Sequence, residues 1–200
     1  MTAVGSPSSG DRGGRPPATS AHELAAVAQQ LFLERGFERT TTDEIAVAAG
    51  ISRRTFFRYF PTKADVLFVE SPREVQRLRD HLAGSPADEP HPVALRRAVI
   101  EALAFPPDQE EYVRRRAQLV LGEPALQAHA TTIFAQWRAA ASAFVAARLG
   151  CRTDDLVPVA AGHAVLAISM AAHEHWVAHP GTQLADALEA AAAVLLSPRC

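Results

Sequence analysis

Cysteine and lysine are both scarce in this chain. Cys151 and Cys200 are its only cysteines, and they lack the spacing of a metal site. A chain of 200 residues can build a sizeable core without disulfides, so we expect a reduced, cytoplasmic compartment. Lys63 is the single lysine beside 19 arginines, and the formal net charge is −2, so the chain is not globally basic. Any nucleic-acid site must therefore be a local basic patch.

Long apolar runs, export signals and catalytic motifs are also missing. No apolar run has the length that spans a bilayer, and no secretory segment follows Met1, so we expect no membrane partner. The chain has no nucleophile motif, phosphate-binding loop or dinucleotide fingerprint. We therefore predict no enzyme activity, no catalytic residue and no cofactor.

Four histidines lie close together near the C-terminal end. They are His163, His173, His175 and His179, and the last two are one helical turn apart. The carboxylate patterns that accompany zinc and di-iron sites in helical proteins are missing. We therefore predict surface or interface histidines and no metal site.

Apolar residues recur at helical spacing along most of the chain, and no stretch shows the alternation of a β-strand. The sequence therefore predicts an all-α protein of about nine helices. Residues 1–19 are rich in Ser, Gly and Pro and are predicted to form a disordered tail, with a basic arm for a minor groove as the alternative. A first domain is predicted over residues 20–66 and a second over residues 67–200.

Caps and prolines set the predicted helix ends. Ser20 and Glu23 form a capping box for a first helix that runs to Gly36. The Ser71-Pro72 pair predicts a kinked or broken fourth helix, which restarts with Ser71 and Glu74 as its cap and ends near residue 82. The later helices are predicted at residues 91–104, 108–121, 125–149, 154–179 and 182–197.

The segment TTDEIAVAAGISRRTFFRYFPTK, residues 41–63, contains the start and stop signals of two short helices. Thr41 and Glu44 form a capping box, and Gly50 supplies a left-handed residue that ends the first helix. Ser52 caps the second helix and Pro61 closes it. Two helices joined by a short glycine turn form a helix-turn-helix. The second helix carries arginines and no acid, which suits a DNA major groove.

The run AAGISRRTFFRYFPTK resembles the DNA-binding signature of TetR-type bacterial regulators. The resemblance is dense over residues 24–67. It implies an N-terminal three-helix domain that binds DNA, followed by helices that dimerise and hold a small ligand. The runs REVQRLRDHL and PALQAHATTIFAQWRAAASAFVAARLG resemble regulators associated with mycofactocin gene clusters, which implies a long-chain acyl-CoA effector.

The predicted DNA contacts lie in and beside the second helix of the motif. Arginine can make two hydrogen bonds to guanine, so Arg53 and Arg54 are candidates for base edges, with Thr55 beside them. By the resemblance, Phe57 stands where a phosphate-contacting tyrosine is usual, and Tyr59 stands where histidine is common. We expect phosphate contacts from Tyr59, Lys63 and two threonines at a helix start. The full predicted set is Thr41, Thr42, Ser52, Arg53, Arg54, Thr55, Phe57, Arg58, Tyr59 and Lys63; the alternative is a solvated basic helix.

Large and polar side chains of the later helices are candidates for a ligand pocket. Packing in a helical core is the alternative for each large residue. The arginine run 114–116 either neutralises an anionic ligand at a pocket mouth or forms a solvated face. The predicted pocket residues are Phe105, Tyr112, Arg116, Phe134, Trp137, Met170, His173 and Trp176.

The last two helices are rich in alanine and leucine, which allows close packing. Helix-turn-helix proteins usually pair to read two half-sites, so we predict a homodimer through these two helices. The resulting interpretation is a regulator that binds a double-stranded DNA operator and responds to a small apolar or acyl-CoA-like effector, as a repressor rather than an activator. Two rivals are a helical acyl-ligand-binding protein without DNA function and a metal-dependent helical-bundle enzyme.

Overall fold

The computed structural model describes residues 20–196. Within this range the protein consists of nine α-helices and two short 3₁₀ turns, at Ala64–Phe68 and Pro107–Gln109, and no described residue forms a β-strand. The all-α prediction is confirmed. The predictions for the tail 1–19 fall outside the described residues. The helices are α1 (Ala21–Arg35), α2 (Thr42–Ala48), α3 (Arg53–Tyr59), α4 (Ser71–Ala83), α5 (His91–Leu103), α6 (Glu110–Gly122), α7 (Pro124–Leu149), α8 (Leu156–Ala178) and α9 (Leu184–Leu195).

Both capping boxes predicted in the N-terminal helices are present. Ser20 Oγ accepts the Glu23 amide at 3.1 Å, and the Glu23 carboxylate accepts the Ser20 amide at 3.1 Å. Thr41 and Glu44 form the same reciprocal pair at the start of α2. Gly50 follows α2 with φ of 69°, a left-handed conformation that glycine adopts without strain. These local signals position the helix-turn-helix.

Helices α1–α3, which we call the head, close around one apolar cluster. Phe56 of α3 and Ile45 of α2 have no exposed surface within it. The same cluster includes Leu67 of the first 3₁₀ turn, Leu119 of α6 and Leu126 of α7. The head is therefore joined to α4–α9, which we call the body, by shared apolar packing as well as by the chain.

A 3₁₀ turn and then α4 connect the head to the body, so the predicted break in the fourth helix is confirmed. Pro72 lies in the first turn of α4, where its missing N–H costs no hydrogen bond. The predicted cap is wrong, because Ser71 is already the first helical residue and Glu70 precedes it without a side-chain cap. The Glu74 carboxylate instead pairs with an arginine of α6.

Helix α8 packs closely against α7 and α9. A Cβ atom at Gly162 would lie 2.6 Å from Ser142 Oγ and 2.8 Å from the Arg138 carbonyl oxygen, so glycine permits the approach of α7 and α8. Near the other end, the indole N–H of the fully buried Trp176 donates to the Thr182 carbonyl at 3.1 Å. One face of α8 is thereby fixed in the body.

Apolar side chains are exposed on the opposite face of α8. Leu156 is 82% exposed, Val159 38% and Met170 37%. Helix α9, which packs along α8, adds exposed Val194 and Leu195, and we call this combined surface the outer stripe. Helix α8 has 23 residues, and an 18-residue stretch of it has a mean hydropathy of 1.6. By length and composition alone it could cross a membrane. The prediction that no such segment exists is wrong here, because α8 carries apolar residues on its buried and its exposed face.

Candidate DNA interface and ligand cavity

Helix α3 presents its three arginines to the exterior. Arg53 Nη1 lies 3.2 Å from an Asp43 carboxylate oxygen, and its guanidinium lies 5.5 Å from the Phe57 ring centroid. The Arg58 guanidinium lies 5.4 Å from the Tyr59 ring centroid. The outer face of α3 is therefore basic and partly aromatic, as a helix that enters a major groove requires.

The hydroxyl groups at the starts of α2 and α3 are engaged locally. Ser52 Oγ accepts the Thr55 amide at 3.1 Å and lies 2.9 Å from Thr55 Oγ1. Thr41 Oγ1 donates to the Glu44 carboxylate at 2.9 Å, and Thr42 is half-buried. These bonds stabilise the two helix starts, so a phosphate contact by Thr41 has to replace its bond to Glu44.

Lys63 is directed toward the loop between α1 and α2. Its ammonium donates to the carbonyl oxygens of Phe37 at 2.8 Å, Thr40 at 3.2 Å and Glu38 at 3.3 Å. The same nitrogen lies 4.3 Å from the Phe37 ring centroid. An ammonium has three donors, and all three have acceptors here. The phosphate contact predicted for Lys63 therefore requires it to give up one of these bonds.

Phe57 and Tyr59 are the two aromatic residues of α3 in the predicted DNA-contact set. Phe57 is 42% exposed and meets the Phe56 ring edge-on, with centroids 5.4 Å apart. Tyr59 is half-buried. Phe57 thus offers an apolar edge that suits a thymine methyl or a sugar, where the family signature has a hydroxyl.

A cavity of about 100 Å³ lies between α4, α6, α7 and α8. Its walls are mainly apolar, with polar groups gathered around Glu74. Five of the predicted pocket residues line it, which are Arg116, Phe134, Trp137, Met170 and His173. These five are fewer than a third of the sixteen residues that line the cavity, and each large residue was also consistent with core packing.

A second compartment of about 50 Å³ adjoins the cavity. Phe105 and Tyr112 line this compartment, and it shares Glu74, Arg116 and His173 with the larger cavity. Trp176 lines neither space. Its face of α8 is turned toward the core, where the Arg114 guanidinium lies 4.0 Å from its ring centroid.

The polar end of the cavity is built on a buried ion pair. Arg116 Nη2 of α6 donates to Glu74 Oε1 of α4 at 2.7 Å, and the two side chains are 11% and 12% exposed. Burial opposes the charged form of Arg116, but the neighbouring Glu74 outweighs it and raises the pKa of the guanidinium. Burial raises the pKa of Tyr112 to about 12. Arg116 is therefore cationic and Tyr112 neutral at physiological pH.

His173 of α8 faces the same polar end. Burial lowers the pKa of its imidazole, although Nδ1 lies 2.8 Å from the Ser169 carbonyl oxygen, which favours the protonated form. The imidazole is therefore neutral at physiological pH, and it adds hydrogen-bonding capacity without charge.

The arginine run of α6 divides into three roles. Arg116 pairs with Glu74 at the cavity, as described above. Arg114 donates to the carboxylate of Glu110 at 3.0 Å and stacks on an indole in the core. Arg115 is paired with Glu111 at 2.7 Å and donates to Gln30 Oε1 of α1 at 3.0 Å. Neither predicted alternative describes the whole run, because successive helical residues point in different directions.

Sequence reasoning missed Glu74 and Phe68, which also line the cavity. The capping pattern assigns Glu74 to the start of α4 and gives no reason to place it in a pocket. A signal for its inward position exists, because Glu74 lies three residues after Ser71 and four before Leu78, both of which are buried. Phe68 belongs to a 3₁₀ turn, whose side-chain directions the helical period does not give.

The described residues contain no group of three or more His, Cys, Asp or Glu side chains that could hold a metal ion. The rings of His175 and His179 are stacked, with centroids 4.1 Å apart, and both residues are exposed. His179 Nδ1 lies 2.8 Å from the His175 carbonyl oxygen. This pair therefore forms an ordinary local contact at the end of α8.

Comparison with known proteins places this geometry in a family. The family description "Bacterial regulatory proteins, tetR family" matches residues 24–69, and "MftR C-terminal domain" matches residues 89–199. The "Putative mycofactocin biosynthesis transcriptional regulator MftR" of Mycobacterium tuberculosis is 34% identical over 180 residues, which cover 90% of this chain and 91% of that protein.

Solved structures agree with the helical layout. The lauroyl-CoA complex of Thermus thermophilus FadR, a TetR-family transcriptional repressor, is 26% identical with a TM-score of 0.52, over 88% of this chain and 93% of that chain. FadR of Bacillus halodurans, at 17% identity, has a TM-score of 0.62 over 91% of this chain and 97% of that chain, and it supports the fold alone.

These relatives are DNA-binding transcriptional regulators and not enzymes, which removes the rival enzyme interpretation. Regulators of this kind bind DNA operators and small-molecule effectors. The basic helix α3 and the body cavity supply a candidate for each role. The chain therefore belongs to the TetR family of bacterial transcriptional regulators, with a C-terminal domain of the MftR type, and is a ligand-responsive DNA-binding regulator.

Proposed function

We propose that this regulator is a cytoplasmic homodimeric repressor that leaves its operator when an apolar, acyl-CoA-like effector enters the body cavity. The observation that carries the proposal is the position of the cavity. One of its walls is α4, the helix that leads directly from the head into the body. A ligand that changes this wall therefore acts on the element that positions the recognition helix.

The cavity suits an apolar chain but is small in the present arrangement. Its walls include the apolar side chains of Leu103, Ile133, Phe134 and Trp137. Small-molecule sites usually enclose roughly 300–1,000 Å³. A cavity of about 100 Å³ has to widen to take a long acyl chain. Because α4 forms part of the wall, widening favours a different position of α4. This is a population shift between two arrangements of the body, each with its own head position.

An acyl-CoA-like effector is supported by similarity as well as by the walls. The T. thermophilus FadR structure at 26% identity contains lauroyl-CoA. The apolar walls can enclose an acyl chain, and the polar end around Arg116 offers donors to a carbonyl group. Lauroyl-CoA is therefore the first effector to test.

DNA recognition rests on α3 in each of two chains. Helix-turn-helix dimers bind half-sites about one helical turn apart, so a single α3 is half of the reading surface. Arg53 and Arg54 are assigned to base edges, while Arg58, Tyr59 and the N-terminus of α2 are assigned to the backbone. The outer stripe of α8 and α9 is the proposed contact between the two chains, because it is apolar and exposed in one chain.

The test is operator binding by fluorescence anisotropy, with DNA from upstream of the regulator's own gene. We expect binding that weakens as salt rises, because phosphate contacts release counterions. Lauroyl-CoA should lower the affinity for this DNA, while CoA alone should not. Operator affinity that is unchanged at saturating lauroyl-CoA contradicts the proposal.

Arg54→Ala separates the two activities in the same assay. We expect this variant to lose about 1–3 kcal/mol of operator binding if Arg54 reads a base, with little loss on random DNA. Lauroyl-CoA binding should be unchanged, because Arg54 is an exposed residue of α3 and does not line the cavity. Unchanged operator affinity removes Arg54 from the DNA interface.

A further inference from the structure

The polar end of the cavity is electrically balanced. Among the described residues that line it, only Glu74 and Arg116 carry formal charges, one of each sign, and they are paired at 2.7 Å. Ser71, Ser169 and His173 complete this end of the wall. Burial lowers the pKa of His173, so its imidazole adds no charge at neutral pH.

The adjoining compartment keeps the same balance. It contains Glu70 and Arg77 in addition to the shared pair. Arg77 Nε and Nη2 donate to the Ala102 carbonyl oxygen at 2.9 Å and 2.6 Å. Its guanidinium is thus held on a backbone carbonyl of α5, and Glu70, which lines the same compartment, offsets its formal charge.

We propose that the Glu74–Arg116 pair makes the cavity select effectors whose polar end is uncharged, as in an acyl thioester, and reject free fatty acids of the same chain length. This inference rests on the proposed function, because it assigns the head group of the same apolar effector. It makes Glu74 a specificity-determining residue that acts by neutralising Arg116.

The physical argument is the cost of an additional buried charge. A fatty-acid carboxylate at this end would bring a second negative charge to one arginine, in a place where burial weakens solvation. Glu74 already occupies Arg116 Nη2, so the incoming carboxylate gains attraction from the arginine and repulsion from Glu74. The net result is an uncompensated charge next to apolar walls.

An uncharged carbonyl meets no such penalty. It needs one hydrogen-bond donor, and a guanidinium has five N–H groups. Arg116 can therefore keep its bond to Glu74 while another N–H donates to the ligand. The ion pair remains intact, and the charge of the site stays at zero.

The experiment compares two probes with the same acyl chain. Dodecanoate carries a carboxylate at pH 7.5, whereas S-dodecanoyl-N-acetylcysteamine is an uncharged thioester without a nucleotide. Calorimetric titration of the full chain measures the ratio of the two dissociation constants. We expect the wild-type protein to prefer the thioester by more than about tenfold.

Glu74→Gln should reverse this preference or reduce it by at least about tenfold, because it leaves Arg116 with an unpaired positive charge that attracts dodecanoate. The double variant Glu74→Gln/Arg116→Gln restores a neutral site, so the preference for the thioester should return. Glu111→Gln is the matched control, since Glu111 pairs with Arg115 on the exposed side of α6 and lines neither space. It should keep the wild-type ratio.

Equal affinity of the wild-type protein for both probes overturns the inference while leaving an apolar effector in place. A Glu74→Gln variant that is folded by its thermal transition and keeps the wild-type ratio also overturns it. If the single variant does not fold, the wild-type and double-variant ratios still decide, because equal affinity for the two probes in either protein contradicts the charge argument. If the wild-type protein binds neither of the two probes nor lauroyl-CoA, the proposed effector is refuted, and the inference with it.

Discussion

At the scale of single residues, the position of Lys63 changes the expected role of the only lysine. The family signature predicts a phosphate contact for Lys63, but its three donors are directed to carbonyl oxygens in the loop between α1 and α2. Hydrogen bonds that involve a charged group contribute about 1.5–3 kcal/mol each in favourable cases, and less where water can replace them. Lys63 therefore fixes the loop that sets α2 against α1.

We expect Lys63→Met to lower the free energy of unfolding by about 1–3 kcal/mol, because three carbonyl groups lose a charged donor. The measurement is urea denaturation followed by circular dichroism. Arg73→Met is the matched control, since Arg73 is 79% exposed and its surface ion pair with Glu70 at 3.5 Å should contribute about 0–1 kcal/mol. Equal stability of Lys63→Met and wild type contradicts the structural role. If the slope of log operator affinity against log salt concentration falls by about one in the same variant, Lys63 also contacts a phosphate.

At the scale of elements, the sequence predicts local helix signals better than contacts between residues that are far apart in the chain. The starts of α1 and α2 were predicted because each capping box lies within four consecutive residues. The cavity walls were predicted only in part, because Glu74 and Arg116 are 42 residues apart and no local pattern relates them. Trp176 is a large aromatic residue of the kind that lines pockets. Only the packing of α8 on α6 and α9 shows that it belongs to the core.

Helix α8 supplies a prediction at the same scale. Gly162→Ala should destabilise the protein by about 1–3 kcal/mol, since the new methyl group meets the Arg138 carbonyl oxygen and Ser142 Oγ at less than van der Waals distance. The gain in helix propensity, about 1 kcal/mol, offsets part of this cost. Thermal unfolding measures the difference. Gly122→Ala at the end of α6 is the control, because a Cβ atom added there would meet nothing within 4 Å. A Gly162→Ala protein at least as stable as Gly122→Ala is the result that excludes close packing of α7 and α8.

At the scale of the whole molecule, the outer stripe gives α8 and α9 a surface that water solvates poorly. Helix α8 also has the length and composition of a membrane segment. The buried face of α8, with Gly162, Val165, Ile168 and Trp176 packed in the body, favours a second copy of the chain as its partner. Family membership favours the same partner, because homodimers are typical of these regulators.

We expect the wild-type chain to have a mass of about 43 kDa in light scattering, twice the 21.4 kDa of one chain. Val194→Glu should raise the dissociation constant of the dimer by at least about tenfold, because a buried unpaired carboxylate opposes association. Val47→Glu is the control. Val47 of α2 is 80% exposed, as Val194 is, but it lies on the head and should leave the mass unchanged. A Val194→Glu protein that remains fully dimeric at the same concentrations would place the interface elsewhere.

The apolar cluster that joins head and body limits how this regulator can be recombined with others. Leu119 of α6 and Leu126 of α7 are far along the chain from α3, yet both are part of the packing that supports the head. A chimaera cut between the two units would leave this face of the head open to solvent unless the acceptor body offers leucine-sized side chains at equivalent positions. Exchanging DNA specificity within the family is therefore a problem of matching two partial cores, and the recognition helix has to be transplanted together with the surface on which its domain rests.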